Sequence, residues 1–324
     1  MVSRRAVLGL GAVGAGLVVA GGATALAYGS GIAKARALVA PELSKVIPSR
    51  FGDLEYAEAG AGTPFLMVHG TGGGFDQGLF FANRFSDAGY RVIAPSRFGY
   101  LRTAFPEDPS SENQADAFVD LLDALHIDRI AVAGGSAGAL SALAFAIRHP
   151  TRCAALLPLV PASYVPRDTP VQSVPPDQMQ MAMAALRSDF LFWLAIATVP
   201  DLLTEALLAT KPALVKAADS TEQARARHIL DSILPVSRRA DGLLNDARLA
   251  GNPAPMAIET ITAPTLAVSY EDDGFGTAAA ARYIGECVPG ARAHIYPDGG
   301  HIGIGHDAES FALVDGFLKE IGYA

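Results

Sequence analysis

The chain predicts an α/β fold, a mostly parallel sheet with helices on both faces and a helical insertion. Three observations carry this reading. Short apolar runs recur between turn residues: "PFLMVHG", "YRVIAPS", "RIAVAGGS", "CAALLPLV", "PTLAVSY" and "ARAHIYP". Strands buried on both faces read this way, whereas half-exposed strands alternate. Helical segments fall between the runs, at residues 75–88, 111–126, 137–149, 277–289 and 307–321, which is the order of strand–helix–strand units. Finally, 324 residues, 50% of them hydrophobic and 18% charged, suffice for a core and argue against disorder.

Taken in order, the chain opens on "MVSRRAVLGLGAVGAGLVVAGGATALAYG", where Arg4 and Arg5 precede an uncharged run from Ala6 to Gly29. The run is long enough to cross a bilayer, and Ala25-Leu26-Ala27 offers a small-residue cleavage site. Residues 1–45 are therefore expected to be an export signal or membrane anchor plus linker. "SRRAVLGL" resembles a twin-arginine signal, and the domain behind it is expected outside the cytoplasm, with possible membrane association through the N-terminus. Residues 46–162 are expected to form the first part of the core, beginning with the alternating strand "DLEYAEAG". Residues 163–255 hold no convincing strand; a proline-rich stretch leads into "MQMAMAALRSDFLFWLAIATV", "DLLTEALLAT" and "TEQARARHILDSIL". This is expected to be a helical cap, and residues 256–324 the second part of the core. Met179, Met181, Met183, Phe190, Phe192 and Trp193 are candidates to line a pocket under the cap, or to form the cap's own core.

Charge excludes one class of partner. The net charge is −8, and beyond residue 40 the chain carries 21 basic against 33 acidic residues, so no basic surface points to nucleic acid. Cys153 and Cys287 make neither a disulfide framework nor a metal cluster. Two buried thiols are expected, with one bridge open if the domain is exported. No metal or organic cofactor is expected.

The chemistry-bearing stretch is "VAGGSAGAL", residues 132–140, where an apolar strand meets a helix. The spacing G-x-S-x-G holds a serine in a tight, strained turn, with Gly134 and Gly138 where side chains would collide. The turn lifts the Ser136 hydroxyl above the sheet and puts the Ala137 amide at a helix N-terminus, where it stabilises an anion. A serine needs a base. Of the seven histidines, His301 in "YPDGGHIGIGH" follows the last strand, the position that the chain order serine, acid, histidine requires. An acid is expected after the preceding strand, where "SYEDDGFG" offers Glu271, Asp272 and Asp273; Asp273 is the choice and Asp272 the reserve. Upstream, "VHGTGGGFDQG" is glycine-rich but lacks the lysine and phase of a phosphate or dinucleotide loop. It suits an oxyanion loop, with the Thr71 amide paired with that of Ala137.

The set "HGTGGG", "SRFGYLRT", "AGGSAGA", "EDD" and "DGGH", in that order, resembles the α/β-hydrolase superfamily, in particular esterase-like members with a helical cap. The resemblance covers residues 50–162 and 256–324. It implies a serine hydrolase that cleaves a carboxylic ester or similar acyl bond of a small-molecule substrate through an acyl-enzyme. C–C bond hydrolysis, lactone opening and cofactor-free perhydrolysis are alternatives on the same triad, and a non-catalytic binding module is a further one. "SRFGYLRT" resembles the family's turn after the second strand of the core motif and is assigned no chemistry. Gly135 stands where relatives carry a bulkier residue, and Tyr270 where a glycine is common.

Overall fold

The computed structural model describes residues 24–166 and 187–324. Residues 1–23 of the signal or anchor segment expected over 1–45, and the pocket candidates Met179, Met181 and Met183, lie outside the described residues. One eight-stranded sheet organises the rest. Its strands are β1 (Lys45–Ser49), β2 (Gly52–Ala59), β3 (Thr63–Val68), β4 (Tyr90–Pro95), β5 (Ile130–Gly135), β6 (Cys153–Leu159), β7 (Leu266–Tyr270) and β8 (Arg292–Tyr296). They lie in the order β1-β2-β4-β3-β5-β6-β7-β8. The first two pairings, β1 with β2 and β2 with β4, are antiparallel; every later pairing is parallel.

The continuous apolar runs are explained by two cores, one on each face. Successive strand side chains point to opposite faces. Leu66 and Val68 of β3, with Ile130 and Val132 of β5, enter the first core. It is closed by α4 (Ser111–Ala124), α5 (Gly138–Arg148) and α11 (Thr277–Cys287). Phe65, Met67, Ala131 and Ala133 enter the second, closed by α3 (Asn83–Asp87) and α12 (Asp307–Glu320). Polar residues at these positions would leave buried groups unpaired, so neither face tolerates them. Helix α4 starts where the Ser110 hydroxyl accepts from the Asn113 amide, a cap worth about 1 kcal/mol.

Three elements differ from the sequence reading. The helix expected at 75–88 is two, α2 (Phe75–Phe81) and α3, because Ala82 at φ −102°, ψ 11° leaves helical geometry. Strand β1 was not expected: its charged, proline-containing sequence lacks an apolar run, and it sits on the sheet edge, where Pro48 is tolerated. Residues 24–38, expected as leader and linker, form helix α1. Its Ile32 and Ala35 are buried against the cap. The thiols of Cys153 and Cys287 are both free; burial pushes that of Cys153 up to about 12.

Between β6 and β7 the chain leaves the carboxyl edge of the sheet. Its described part comprises α6 (Asp189–Thr198), α7 (Pro200–Leu208), α8 (Pro212–Ala217), α9 (Ser220–Asp231) and α10 (Ala240–Gly251), with no strand among the described residues. No single described helix is long and apolar enough to cross a membrane; α6 and α7 together have the composition but are bent by 111°.

Candidate active site

Ser136 sits between β5 and α5 with φ at +51°, a left-handed conformation that costs a non-glycine residue on the order of 1 kcal/mol or more. Neighbouring glycines make it possible. A Cβ at Gly138 would lie 2.4 Å from the His69 carbonyl oxygen, and one at Gly134 would lie 2.7 Å from the Gly138 oxygen. At Gly135 the nearest atom would be 3.8 Å away, so a Cβ is accommodated there.

The structure brings together the three residues chosen for the triad. Ser136 Oγ is 2.9 Å from His301 Nε2, and His301 Nδ1 is 2.8 Å from Asp273 Oδ2. Asp273 also accepts from the Phe275 amide (2.8 Å) and the Thr277 hydroxyl. Burial pushes its carboxyl up. The His301 hydrogen bond and charge, with the Thr277 and Phe275 donors, outweigh that and hold it below the usual aspartate value. An ionised carboxylate can only accept, so Nδ1 carries the proton and Nε2 is free to take one from Ser136. Asp272 is turned elsewhere. It accepts from the Gly300 amide at 2.8 Å and so anchors the turn before His301. Glu271 pairs with Arg282.

Thr71 and Ala137 flank this cluster. In the loop after β3 the Gly70 amide donates to Gln77 (3.1 Å), that of Gly72 to the Tyr100 hydroxyl (3.2 Å) and that of Gly73 to the Gly70 carbonyl (3.3 Å). Among the described residues, the Thr71 and Ala137 amides donate to no backbone oxygen. A Cβ on Gly70 would lie 3.2 Å from Ser136 Cβ, so the loop rests on the nucleophile elbow.

Sequence reasoning missed what holds that loop. Arg97, within "SRFGYLRT", is buried and donates to the carbonyls of His69 (3.0 Å) and Gly70 (3.1 Å). It forms a bidentate pair with Asp246 of cap helix α10, both contacts 2.6 Å, and Asp246 also accepts from Tyr100 at 2.5 Å. Burial alone would lower the Arg97 pKa; the Asp246 carboxylate raises it instead. His69 is wholly buried, with Nδ1 2.7 Å from the Gly70 oxygen and Nε2 accepting from the Arg97 amide. Burial first, then the Arg97 charge, holds it well below 6.5 and therefore neutral. The cap grips the other loops as well. Arg225 of α9 donates to Ile302 and Gly303, Glu222 accepts from Gly305, and Gly274 donates to the Ala209 carbonyl.

A cavity of about 290 Å³ opens beside Ser136 and His301, lined by Met67, Phe81, Leu159, Leu207, Ile229 and Phe311 among others. Its two arginines are already engaged, Arg84 with Asp307 at 2.6 Å and Arg225 with Glu222 at 2.8 Å. Of the described aromatic candidates, Phe192 is cap core and Trp193 packs on Tyr28 of α1. Neither these nor Phe190 lines the cavity; α7 and α9 supply its cap side instead. Among the described residues no cluster of His, Cys, Asp and Glu is arranged to hold a metal.

A sequence profile of the alpha/beta hydrolase fold matches residues 63–307. The chain is 40% identical over 101 residues to an uncharacterized hydrolase, YcgS, of Bacillus subtilis, covering 31% of this chain and 35% of that one. It is 32% identical over 148 residues to a 2-hydroxy-6-oxononadienedioate/2-hydroxy-6-oxononatrienedioate hydrolase of Paraburkholderia xenovorans, covering 41% and 51%. The matches thus span about a third to a half of the length of these relatives. An alpha/beta hydrolase fold protein from Nakamurella multipartita superposes with a TM-score of 0.66 at 23% identity, covering 86% of this chain and 99% of that one.

Proposed function

Because the chain belongs to the α/β-hydrolase family, we propose that it hydrolyses a carboxylic ester of an uncharged, apolar acyl group through an acyl-enzyme on Ser136. The single observation that carries this is the hydrogen-bonded relay Ser136–His301–Asp273 opening onto an apolar cavity. Ser136 Oγ attacks the carbonyl carbon as His301 Nε2 takes its proton, and Asp273 steadies the imidazolium. The amides of Thr71 and Ala137 receive the oxyanion; losing one such donor costs roughly 100-fold or more in turnover. As the ester C–O bond breaks, His301 gives its proton to the departing oxygen, releasing the alcohol, and water repeats the sequence on the acyl-enzyme. An uncharged substrate is supported by the pairing of both cavity arginines, which leaves no unpaired arginine or lysine among the described lining residues.

C–C bond hydrolysis is the second reading. It is favoured by the Paraburkholderia relative, whose substrate is named as a dianionic dioate. Comparing p-nitrophenyl esters of increasing acyl length with a 2-hydroxy-6-oxo-dienoate separates the two. Preferred turnover of the dienoate sinks the ester reading. Ser136→Ala is expected to abolish turnover and labelling by a fluorophosphonate; equal labelling of the variant sinks the triad. The leader reads as an export signal or anchor that holds the domain outside the cytoplasm, a reading supported by Arg4, Arg5 and the uncharged run behind them.

A further inference from the structure

Cap helices α6 and α7 expose more apolar surface than a roof over a cavity requires. Phe190 is 40% exposed, Leu191 49%, Val199 42% and Leu202 61%. From Phe190 to Pro200 there is no charged residue. Several large apolar side chains exposed within one short segment point to a partner or a membrane.

Helix α1 identifies the partner. It docks on the same elements: the Tyr28 ring meets Phe190 at 5.2 Å and Trp193 at 5.6 Å, both edge-on, and a Cβ on Gly31 would lie 2.7 Å from the Trp193 indole nitrogen. The uncharged run that begins at Ala6 extends into this helix as far as Ala33, and Leu26 within it is 78% exposed. The longest uncharged stretch of the chain therefore leads into a helix docked on the apolar face of the cap. The cavity adjoins it too, since Ala206, Leu207 and Leu208 at the end of α7 line the cavity.

We propose that α6, α7 and the exposed start of α1 form a surface that seats the cap in the outer layer of a lipid bilayer, so that the cavity draws an amphiphilic acyl ester from the membrane. This rests on the ester-hydrolase reading and names its substrate as a membrane-resident one. Insertion is apolar rather than electrostatic. The body of the chain is acidic; the carboxylates of α6 and α7 are Asp189, bonded to Ser237 and near Arg36, Asp201, paired with Lys216, and the exposed Glu205, and the cations of α1, Lys34 and Arg36, lie past its exposed start. The surface thus suits a zwitterionic bilayer better than an anionic one.

Full-length protein is given phosphatidylcholine vesicles carrying a long-chain acyl ester and, separately, a soluble p-nitrophenyl ester. The variant Leu191→Glu/Leu202→Glu changes two exposed side chains outside the cavity. Its rate on the vesicle-borne ester is expected to fall about tenfold or more, the scale of losing two leucines from an apolar contact, with the soluble ester unaffected. Trp193 is the single tryptophan of the chain. Brominated lipid is expected to quench its fluorescence in the wild type and not in the variant. Unchanged vesicle turnover and unchanged quenching in the variant overturn the proposal. If size exclusion then shows dimeric wild type and monomeric variant, a second copy covers the surface instead. If the wild type cleaves neither ester, the hydrolase reading fails, and the quenching result still decides whether the surface meets lipid.

Discussion

Changing Asp246 to asparagine keeps the side chain's size and one acceptor oxygen but removes its charge. Arg97 then stays buried, its side chain 7% exposed, with no counter-charge. Removing one partner of a buried pair costs about 3–5 kcal/mol. The remaining amide contact puts this variant at the lower end, and about 3 kcal/mol corresponds to a fall of roughly 6–12 °C in Tm. Arg97 also holds the His69 and Gly70 carbonyls, so the Thr71 amide shifts with it. A displacement of about 1 Å in such a group can cost on the order of 100-fold in kcat. Calorimetry and p-nitrophenyl ester kinetics read the two effects separately. The double variant Arg97→Met/Asp246→Leu removes both charges at similar volume. It is expected to recover only part of the stability, because apolar replacement relieves the unpaired charge while the His69 carbonyl and the Tyr100 hydroxyl lose a partner, and little of kcat, because the two carbonyls have lost their donor. An Asp246→Asn enzyme with unaltered Tm and kcat refutes the reasoning, and so does a double variant with full kcat.

Asp273→Asn is expected to lower kcat by about 10⁴-fold through the wrong histidine tautomer, whereas Asp272→Asn weakens only the anchor of Gly300 and costs far less; reversed magnitudes in steady-state kinetics would exchange the two roles. The Asp273 carboxyl is held below the ordinary aspartate value of 3.8, so its contribution to stability is complete above that pH and is lost as the pH falls through the folded value. The difference in unfolding free energy between wild type and Asp273→Asn should therefore be flat above about pH 4 and close below it. A gap that widens on acidification, followed by denaturant unfolding, contradicts this.

The site's chemistry is legible in the sequence because each part ends a strand and carries a local signature. Ser136 has its flanking glycines, His301 a double-glycine turn and Asp273 an acidic cluster. The sequence offers Asp273 first and Asp272 in reserve, but the physical difference between these adjacent residues, where their side chains turn, is visible only in the structure. Asp246 is illegible for another reason. Within "GLLNDARLAG" it reads as one more polar residue on a helix, and its partner lies 149 residues away. Arg97 likewise gives no local hint that its guanidinium spans two carbonyls and a distant carboxylate. Helix α1 is hidden by composition, because alanine and glycine before a cleavage-like triplet suit a leader as well as a docked helix. The apolar strands, by contrast, follow directly from a sheet buried on both faces.

The grip of α7–α10 on the loops has a consequence for recombination. Asp246 grips Arg97 and Tyr100 after β4, and Arg97 in turn holds the loop after β3; the Ala209 carbonyl receives Gly274 in the acid loop, and Arg225 and Glu222 clasp the segment after His301. Such a cap is not an exchangeable module. A chimera that imports a relative's cap without the loops it clasps inherits three mismatched joints, each at a loop that carries a group of the proposed site. Transferring substrate preference between members of the family by this route would require moving cap and loops as one unit.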